Sequence, residues 1–170
     1  MDIERIYFDM DDVLVDFTGG AREFCGIEIR GKNAVGDDVL FDSIRELGDF
    51  YMRVKPILGS LELFNDVREW YGDKVEILTA VPKPSRNLPT LGEDKIEWVK
   101  RYLGGDVVVN IVLRREKVGF VRNRGSVLID DNAGNIKAWN EAGGTGVLFT
   151  DPVSAKMSLE RIGIKCGKPR

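Results

Sequence analysis

The chain has 170 residues, 43% hydrophobic and 31% charged, with a net charge of −3 and a sequence pI near 5.2. That length and balance describe one globular domain with room for a small insertion, and the acidic surplus argues against a general nucleic-acid binder. There is no histidine, which excludes Ser-His-Asp and Cys-His mechanisms and any zinc site that relies on imidazole. Acid–base work then falls to carboxylates, Lys, Tyr or water. No apolar run approaches the roughly 20 residues of a membrane helix. The acidic N-terminus enters a strand at once, unlike a signal peptide. Cys25 and Cys166 lack metal spacing, in keeping with a reducing, cytoplasmic setting.

The first predicted element is the stretch Ile6–Phe17, IYFDMDDVLVDF. An apolar run, Ile6 to Phe8, stops at Asp9; Asp11 and Asp12 follow, then a second run, Val13 to Val15. Such runs read as strand buried on both faces of a parallel sheet. Two unit charges 4 Å apart repel by about 4 kcal/mol at an effective dielectric of about 20. A cation, a proton or a lysine must therefore offset three carboxylates at a strand end. An acidic turn facing water is the ordinary alternative, and the Asp-x-Asp-x-Val spacing directly after a buried strand argues against it.

Asp16 to Ile29 carries the apolar spacing of an amphipathic helix, and Gly31 to Gly36 reads as a loop. A second helix is expected from Asp37 to Leu47, closed by Gly48. The aromatic segment DFYMRV (Asp49–Val54) precedes Pro56, and Gly59-Ser60 offers an N-cap for a helix to Tyr71. Val75 to Leu78 is the next strand, ending at Thr79. Pro82, Pro84 and Pro89 then mark a long loop, of a kind that in compact domains is usually functional or disordered. A helix opened by Glu93 and Asp94 ends at Gly104, with Lys100 and Arg101 in its last turn. Strands follow at Val107–Leu113, at Val127–Ile129 ending in Asp130-Asp131, and at Val147–Phe149, with a short helix from Ile136 to Ala142. The glycines at 143, 144 and 146 precede a strand instead of following one, so they read as a helix end and turn, not a dinucleotide fingerprint. The tail beyond Asp151 has a weak helical pattern.

Alternating strands and helices predict an α/β fold, a parallel sheet covered on both faces. In such sheets ligands sit beyond the carboxyl ends of the strands. Three strands end in reactive residues: Asp9, Thr79, and Asp130 with Asp131. For Asp130-Asp131 taken alone a helix N-cap is the default reading, and for Thr79 a hydroxyl bonded to backbone.

Together DMDDVLVDF (Asp9–Phe17), ILTAVPKP (Ile77–Pro84), DKIEWVKRYLG (Asp94–Gly104), IVLRREK (Ile111–Lys117) and VLIDD (Val127–Asp131) resemble the four motifs of the haloacid dehalogenase superfamily. Within it the chain most resembles the 5′(3′)-deoxyribonucleotidases. The match keeps order and spacing up to Phe149. It departs at Asp12, where the family usually has Gly, at Ala80, where it often has Ser, and in the segment from about Asp16 to Lys55.

The resemblance implies a three-layer Rossmann-like core, residues 1–15 and 56–170, with a small helical cap, residues 16–55, inserted after the first strand. It implies a phosphatase in which Asp9 is the nucleophile and Asp11 the general acid and base. Mg²⁺ would be held by Asp9, the Asp11 backbone carbonyl, and Asp130 or Asp131. Thr79 and a lysine would bind the phosphate; Lys95 is preferred, with Lys117 and Arg115 facing the rest of the nucleotide or the acidic motif. Arg114, Arg122 and Arg124 read as a solvated basic loop. Phe17, Phe41, Phe50, Tyr51 and Met52 are candidates for a base-stacking pocket, although aromatics at helical spacing are more often core. The expected partner is a small phosphomonoester, a deoxynucleoside monophosphate foremost, with no nucleic acid or membrane; relatives of this size can act as homodimers. The alternatives are the same chemistry on another small phosphomonoester, and a catalytically silent protein that binds nucleotide or phosphate.

Overall fold

The computed structural model describes residues 1–30 and 36–167; the expected loop at Gly31–Gly36 lies almost wholly outside them. Five strands form one sheet: β1 (Arg5–Phe8), β2 (Val75–Ala80), β3 (Val109–Val112), β4 (Ser126–Asp130) and β5 (Thr145–Leu148). Their order is β3-β2-β1-β4-β5 and every pairing is parallel. β1 is therefore central. Phe8 pairs with Ile77 on one side and Ile129 on the other, so the end of β1 sits between the ends of β2 and β4. The order reverses at β1, which is where open α/β sheets bind ligands.

Side chains on successive residues point to opposite faces, and the core divides accordingly. Ile6, Phe8, Ile77, Val127 and Ile129 join the larger cluster with Phe64 and Trp98. Tyr7, Leu78 and Leu128 join a smaller one with Trp139. Helices α4 (Ser60–Tyr71), α5 (Leu91–Leu103) and α7 (Pro152–Arg161) supply the first face, and α6 (Ala133–Glu141) the second. A 3₁₀ helix, Arg114–Phe120, adds Phe120, whose ring meets Tyr7 edge-on at 5.7 Å. The result is the three-layer Rossmann-like fold expected from the alternation.

Between β1 and α4 lie α1 (Phe17–Cys25), α2 (Asp37–Leu47) and α3 (Phe50–Arg53). Asp16 caps α1 by accepting from Gly19 N, and α2 stops at Gly48, whose φ of 76° only glycine takes without strain. Trp98 of α5 donates to Val54 O at 3.0 Å, tying the end of α3 to the core.

Several expected elements differ. The first inserted helix stops at Cys25 instead of reaching Ile29, because Gly26 takes a left-handed φ of 67° and caps it; β3 covers only Val109–Val112 of the expected Val107–Leu113; and Gly146, expected in a turn, lies within β5. Val13 to Val15 is fully buried yet is not a sheet strand; Met10 O accepts from the amides of Val13, Leu14 and Val15 and folds the run into a tight turn. The last helix before β5 begins at Ala133, not Ile136, because Asn132 caps it by accepting from Asn135 N. Asn132, and neither Asp130 nor Asp131, is therefore the cap of this helix.

Phe64 is fully buried and its ring meets Phe8 at 5.1 Å, fastening α4 under the strand that carries Asp9. Phe64→Ala should lower the unfolding free energy by about 3–5 kcal/mol in urea titrations; a loss below about 1 kcal/mol would place it among inert surface changes and contradict this packing.

Candidate active site

The backbone ladder sets the first group of residues. Asp9 N donates to Ile129 O at 2.8 Å, extending the β1–β4 pairing by one residue. This places Asp9 beside Asp130, the last residue of β4, on the same edge of the sheet. Asp130 has no exposed surface and Asp9 only 7%. Lys117, from the 3₁₀ helix, stands between them, with Nζ 2.9 Å from Asp9 Oδ1 and 2.7 Å from Asp130 Oδ2. Asp130 also accepts from Asn132 N at 2.8 Å and from Asn135 Nδ2 at 2.9 Å. Asp9, Asp130 and Asp131 each offer a carboxylate oxygen, and these oxygens lie within 4.8 Å of one another. Asp131 is paired with Arg30, whose Nη2 is also 3.6 Å from Asp12 Oδ2.

Burial governs the charges. It pushes the Asp9 carboxyl up to about 7; the attraction of Lys117 opposes the shift, and the neighbouring Asp130 and Asp11 add to it. For Lys117, burial favours loss of the proton, but the attraction of Asp9 and Asp130 outweighs it and the ammonium is held above its ordinary value. Asp131 is raised by burial against the opposing bond from Arg30. All the candidate ligand atoms are oxygens, and the three carboxylates are only partly offset, by the buried Lys117 ammonium on Asp9 and Asp130 and by the exposed Arg30 guanidinium on Asp131. Such a donor set and charge suit a hard divalent cation.

A second group surrounds Asp11. Tyr51 Oη donates to Asp11 Oδ1 at 2.6 Å, and Lys95 Nζ to Asp11 Oδ2 at 2.8 Å. Lys95, on α5, also donates to Thr79 Oγ1 at 2.9 Å and to Ala80 O at 2.7 Å. The two lysines that sequence reasoning weighed against each other thus occupy different places. Lys117 lies among the Asp9–Asp130 carboxylates, and Lys95 links Asp11 to the end of β2.

Asp12 has a φ of 56°, in the left-handed region, which explains why glycine suits this position; aspartate is among the few other residues that visit it. Here its carboxylate accepts from Thr18 N at 2.8 Å and Thr18 Oγ1 at 2.6 Å, pinning the turn to the start of α1. Burial raises this carboxyl against those two bonds.

The aromatic candidates separate. Phe17, half-buried, packs edge-on against Phe50 at 5.2 Å and lies 6.5 Å from Tyr51. Phe50 and Tyr51 are 2% and 3% exposed, so they form the wall behind Phe17 instead of an open stacking surface. Phe41 lies apart, its ring under the Arg86 guanidinium at 5.7 Å. Met52 is exposed and contacts Arg101 on α5. Arg115 is exposed on the 3₁₀ helix. Sequence reasoning did not single out Arg30, Asn132 or Asn135; the last two follow Asp131 closely enough that an Asx cap was the available signal, whereas nothing local marks Arg30.

A raised carboxyl carries a stability consequence with a definite sign. Between pH of about 4 and about 7 folded Asp9 keeps a proton that the unfolded chain has released, so folding loses stability as pH rises through that window. In EDTA, unfolding free energies of wild type and Asp9→Asn measured across this range should diverge in favour of the variant, by at most about 1.4 kcal/mol per pH unit, and run parallel above it. Parallel curves throughout would contradict the burial argument.

Comparison with known proteins places this arrangement. The family model described as 5′ nucleotidase, deoxy (Pyrimidine), cytosolic type C protein matches residues 2–163. The mitochondrial 5′(3′)-deoxyribonucleotidase of Mus musculus is 28% identical over 175 residues, covering 92% of this chain and 77% of the relative. The Homo sapiens protein of the same name is 28% identical over 165 residues, covering 86% and 70%. A haloacid dehalogenase family hydrolase from Deinococcus radiodurans R1, solved with bound phosphate and sodium, superposes with a TM-score of 0.53 at 14% identity over 98% of this chain and 99% of that one; at that identity it bears on the fold alone. The chain belongs to the 5′ nucleotidase, deoxy (pyrimidine), cytosolic type C family and is a phosphatase with the haloacid dehalogenase fold.

Proposed function

We propose that the chain hydrolyses nucleoside monophosphates, deoxyribonucleotides foremost, with Mg²⁺ and through an aspartyl-phosphate on Asp9. The observation that carries this reading is the separation of the two carboxylates. Asp9 is buried against Lys117, while Asp11 is held apart by Tyr51 and Lys95. Burial holds the Asp9 carboxyl at about 7; beside Lys117 and the positive charge of a bound cation it would be drawn into the ionised form needed for attack, while Asp11, on its own pair of donors, would give and take a proton.

In the first step an Asp9 oxygen attacks phosphorus as the bond to the leaving oxygen breaks, and Asp11 gives its proton to that oxygen. In the second, Asp11 takes a proton from water, whose oxygen attacks phosphorus and breaks the Asp9–phosphate bond. Inorganic phosphate leaves and both carboxyls return to their starting states. Lys117 would stabilise ionised Asp9 and, with the Thr79 hydroxyl, face the charge on the transferring phosphoryl oxygens; Lys95, whose three donors go to Asp11, Thr79 and Ala80, would act through its charge and by orienting the Thr79 hydroxyl. A single preorganised donor of this kind is typically worth roughly 3–4 kcal/mol in the transition state.

Asp9, Asp131 and Asp130 would hold Mg²⁺ with the Asp11 backbone carbonyl; Asp130 is the more committed to protein donors, so Asp131 is the better direct ligand. When bound, the cation supplies charge neutralisation and in-line orientation of the phosphate. Residues 16–55 would act as a cap over the core, with half-buried Phe17, packed on Phe50 beside Tyr51, as the aromatic surface for a base or sugar. A cytoplasmic setting fits the free thiols, and no helix among the described residues is long and apolar enough to cross a membrane. The family description and the names of the mouse and human relatives support the choice of deoxynucleotide substrates.

The test is phosphate release from deoxy- and ribonucleoside monophosphates and several sugar phosphates, each with Mg²⁺ and with EDTA. The expected result is metal-dependent release, fastest on deoxynucleotides, and a fall of at least about a thousandfold in kcat for Asp9→Asn with the fold retained. Release confined to sugar phosphates would overturn the substrate assignment, and a near wild-type rate for Asp9→Asn would remove Asp9 from the nucleophile's role.

A further inference from the structure

Tyr51 belongs to the inserted helices, yet its hydroxyl reaches the carboxylate that the mechanism uses for proton transfer. Its Oη is 2.6 Å from Asp11 Oδ1. Its ring is buried, edge-on to Phe50 at 5.4 Å, and Lys95 Nζ sits 5.5 Å from the ring centroid. Lys95 takes the other Asp11 oxygen at 2.8 Å and spends its remaining donors on Thr79 and Ala80. The Asp11 carboxyl is therefore gripped at both oxygens, once from α3 and once from α5.

Each carboxylate oxygen has two lone pairs, so these bonds leave positions free for the proton in transit. What they remove is rotation: the carboxyl cannot turn about its side-chain torsions without breaking one bond or the other. A phenylalanine would pack against Phe17 and Phe50 equally well. Only the hydroxyl distinguishes tyrosine here, and its sole hydrogen-bond partner among the described residues is Asp11.

We propose that Tyr51 is a positioning residue for the reaction: through its hydroxyl it fixes the Asp11 carboxyl in the orientation that delivers a proton to the leaving oxygen, so that proton transfer depends on α3 being seated on the core. This rests on the assignment of Asp11 as general acid. Proton delivery matters when the leaving group is a poor one. Deoxyuridine 5′-monophosphate must expel a primary alkoxide, which needs the proton as the P–O bond breaks. The phenolate of p-nitrophenyl phosphate leaves without one. A defect in proton delivery separates the two substrates, whereas general damage to the site slows both.

The experiment compares kcat/KM, which reports the steps up to phosphoryl transfer, for these two substrates with wild type, Tyr51→Phe, Asp11→Asn and the double variant. Far-UV circular dichroism shows that each protein is folded, and the p-nitrophenolate released in the first turnover reports phosphoryl transfer apart from the hydrolysis step that also uses Asp11. Tyr51→Phe is expected to lower kcat/KM on the nucleotide at least about tenfold more than on p-nitrophenyl phosphate, a loss of about 1.4 kcal/mol in the transition state. Asp11→Asn is expected to show the same selectivity more strongly, and Tyr51→Phe to add nothing in its background. If Asp11→Asn is selective and Tyr51→Phe slows both substrates equally, or neither, the tyrosine is structural and the proposal is overturned while the role of Asp11 stands. If Asp11→Asn slows both equally, the general-acid assignment fails and the proposal falls with it.

Discussion

The buried ammonium of Lys117, 2.9 Å from Asp9 and 2.7 Å from Asp130, is the interaction on which the site depends. Two carboxylates on adjacent parallel strands, almost wholly removed from water, repel one another and are poorly solvated. Removing the cation between them would leave Asp130 without a counter-charge and drive Asp9 further toward its protonated form. The fold delivers that cation by a short route: β3 runs parallel to β2, and the 3₁₀ helix Arg114–Phe120 then carries Lys117 back over the strand ends before β4 begins. The sheet order fixes where the charges are, and the crossover after β3 fixes what offsets them.

A second cation, Lys95, does a different job a short distance away. It is 1% exposed and donates to a carboxylate, a hydroxyl and a carbonyl. Its three acceptors come from the turn after β1 and from the end of β2, so it couples the two loops that would enclose a phosphate. Arg30 is a third and looser element, largely exposed and paired with Asp131 and Asp12. The acidic edge of the sheet is thus graded: a buried ammonium in the centre, a buried ammonium to one side, and a guanidinium at the solvent margin.

Much of this was legible in the sequence because it follows from strand ends. Asp9, Thr79 and Asp130 terminate apolar runs, and a parallel sheet gathers such ends on one edge whatever the details. The division of labour between Lys95 and Lys117 was not legible, since it turns on how a helix and a 3₁₀ helix are rotated about their axes. Nor was the turn at Val13–Val15: its apolar run is as suited to a buried strand as to a buried loop, and only the Met10 carbonyl, collecting three amides, decides between them. Tyr51 looked like one more aromatic in a cluster. Its hydroxyl gains meaning only from Asp11, 40 residues away in the chain. Arg30 and Asp131, 101 residues apart, meet for the same reason: long-range pairing carries no local pattern.

The central claim is that phosphate passes through a covalent bond to Asp9. The direct measurement is an acid quench of enzyme turning over a deoxynucleotide labelled in its phosphate, followed by peptide mapping of the protein-bound label. The expected result is an acid-stable, hydroxylamine-sensitive label on the peptide that contains Asp9, absent from Asp9→Asn. Label on any other residue, or sustained turnover by Asp9→Asn, would contradict it.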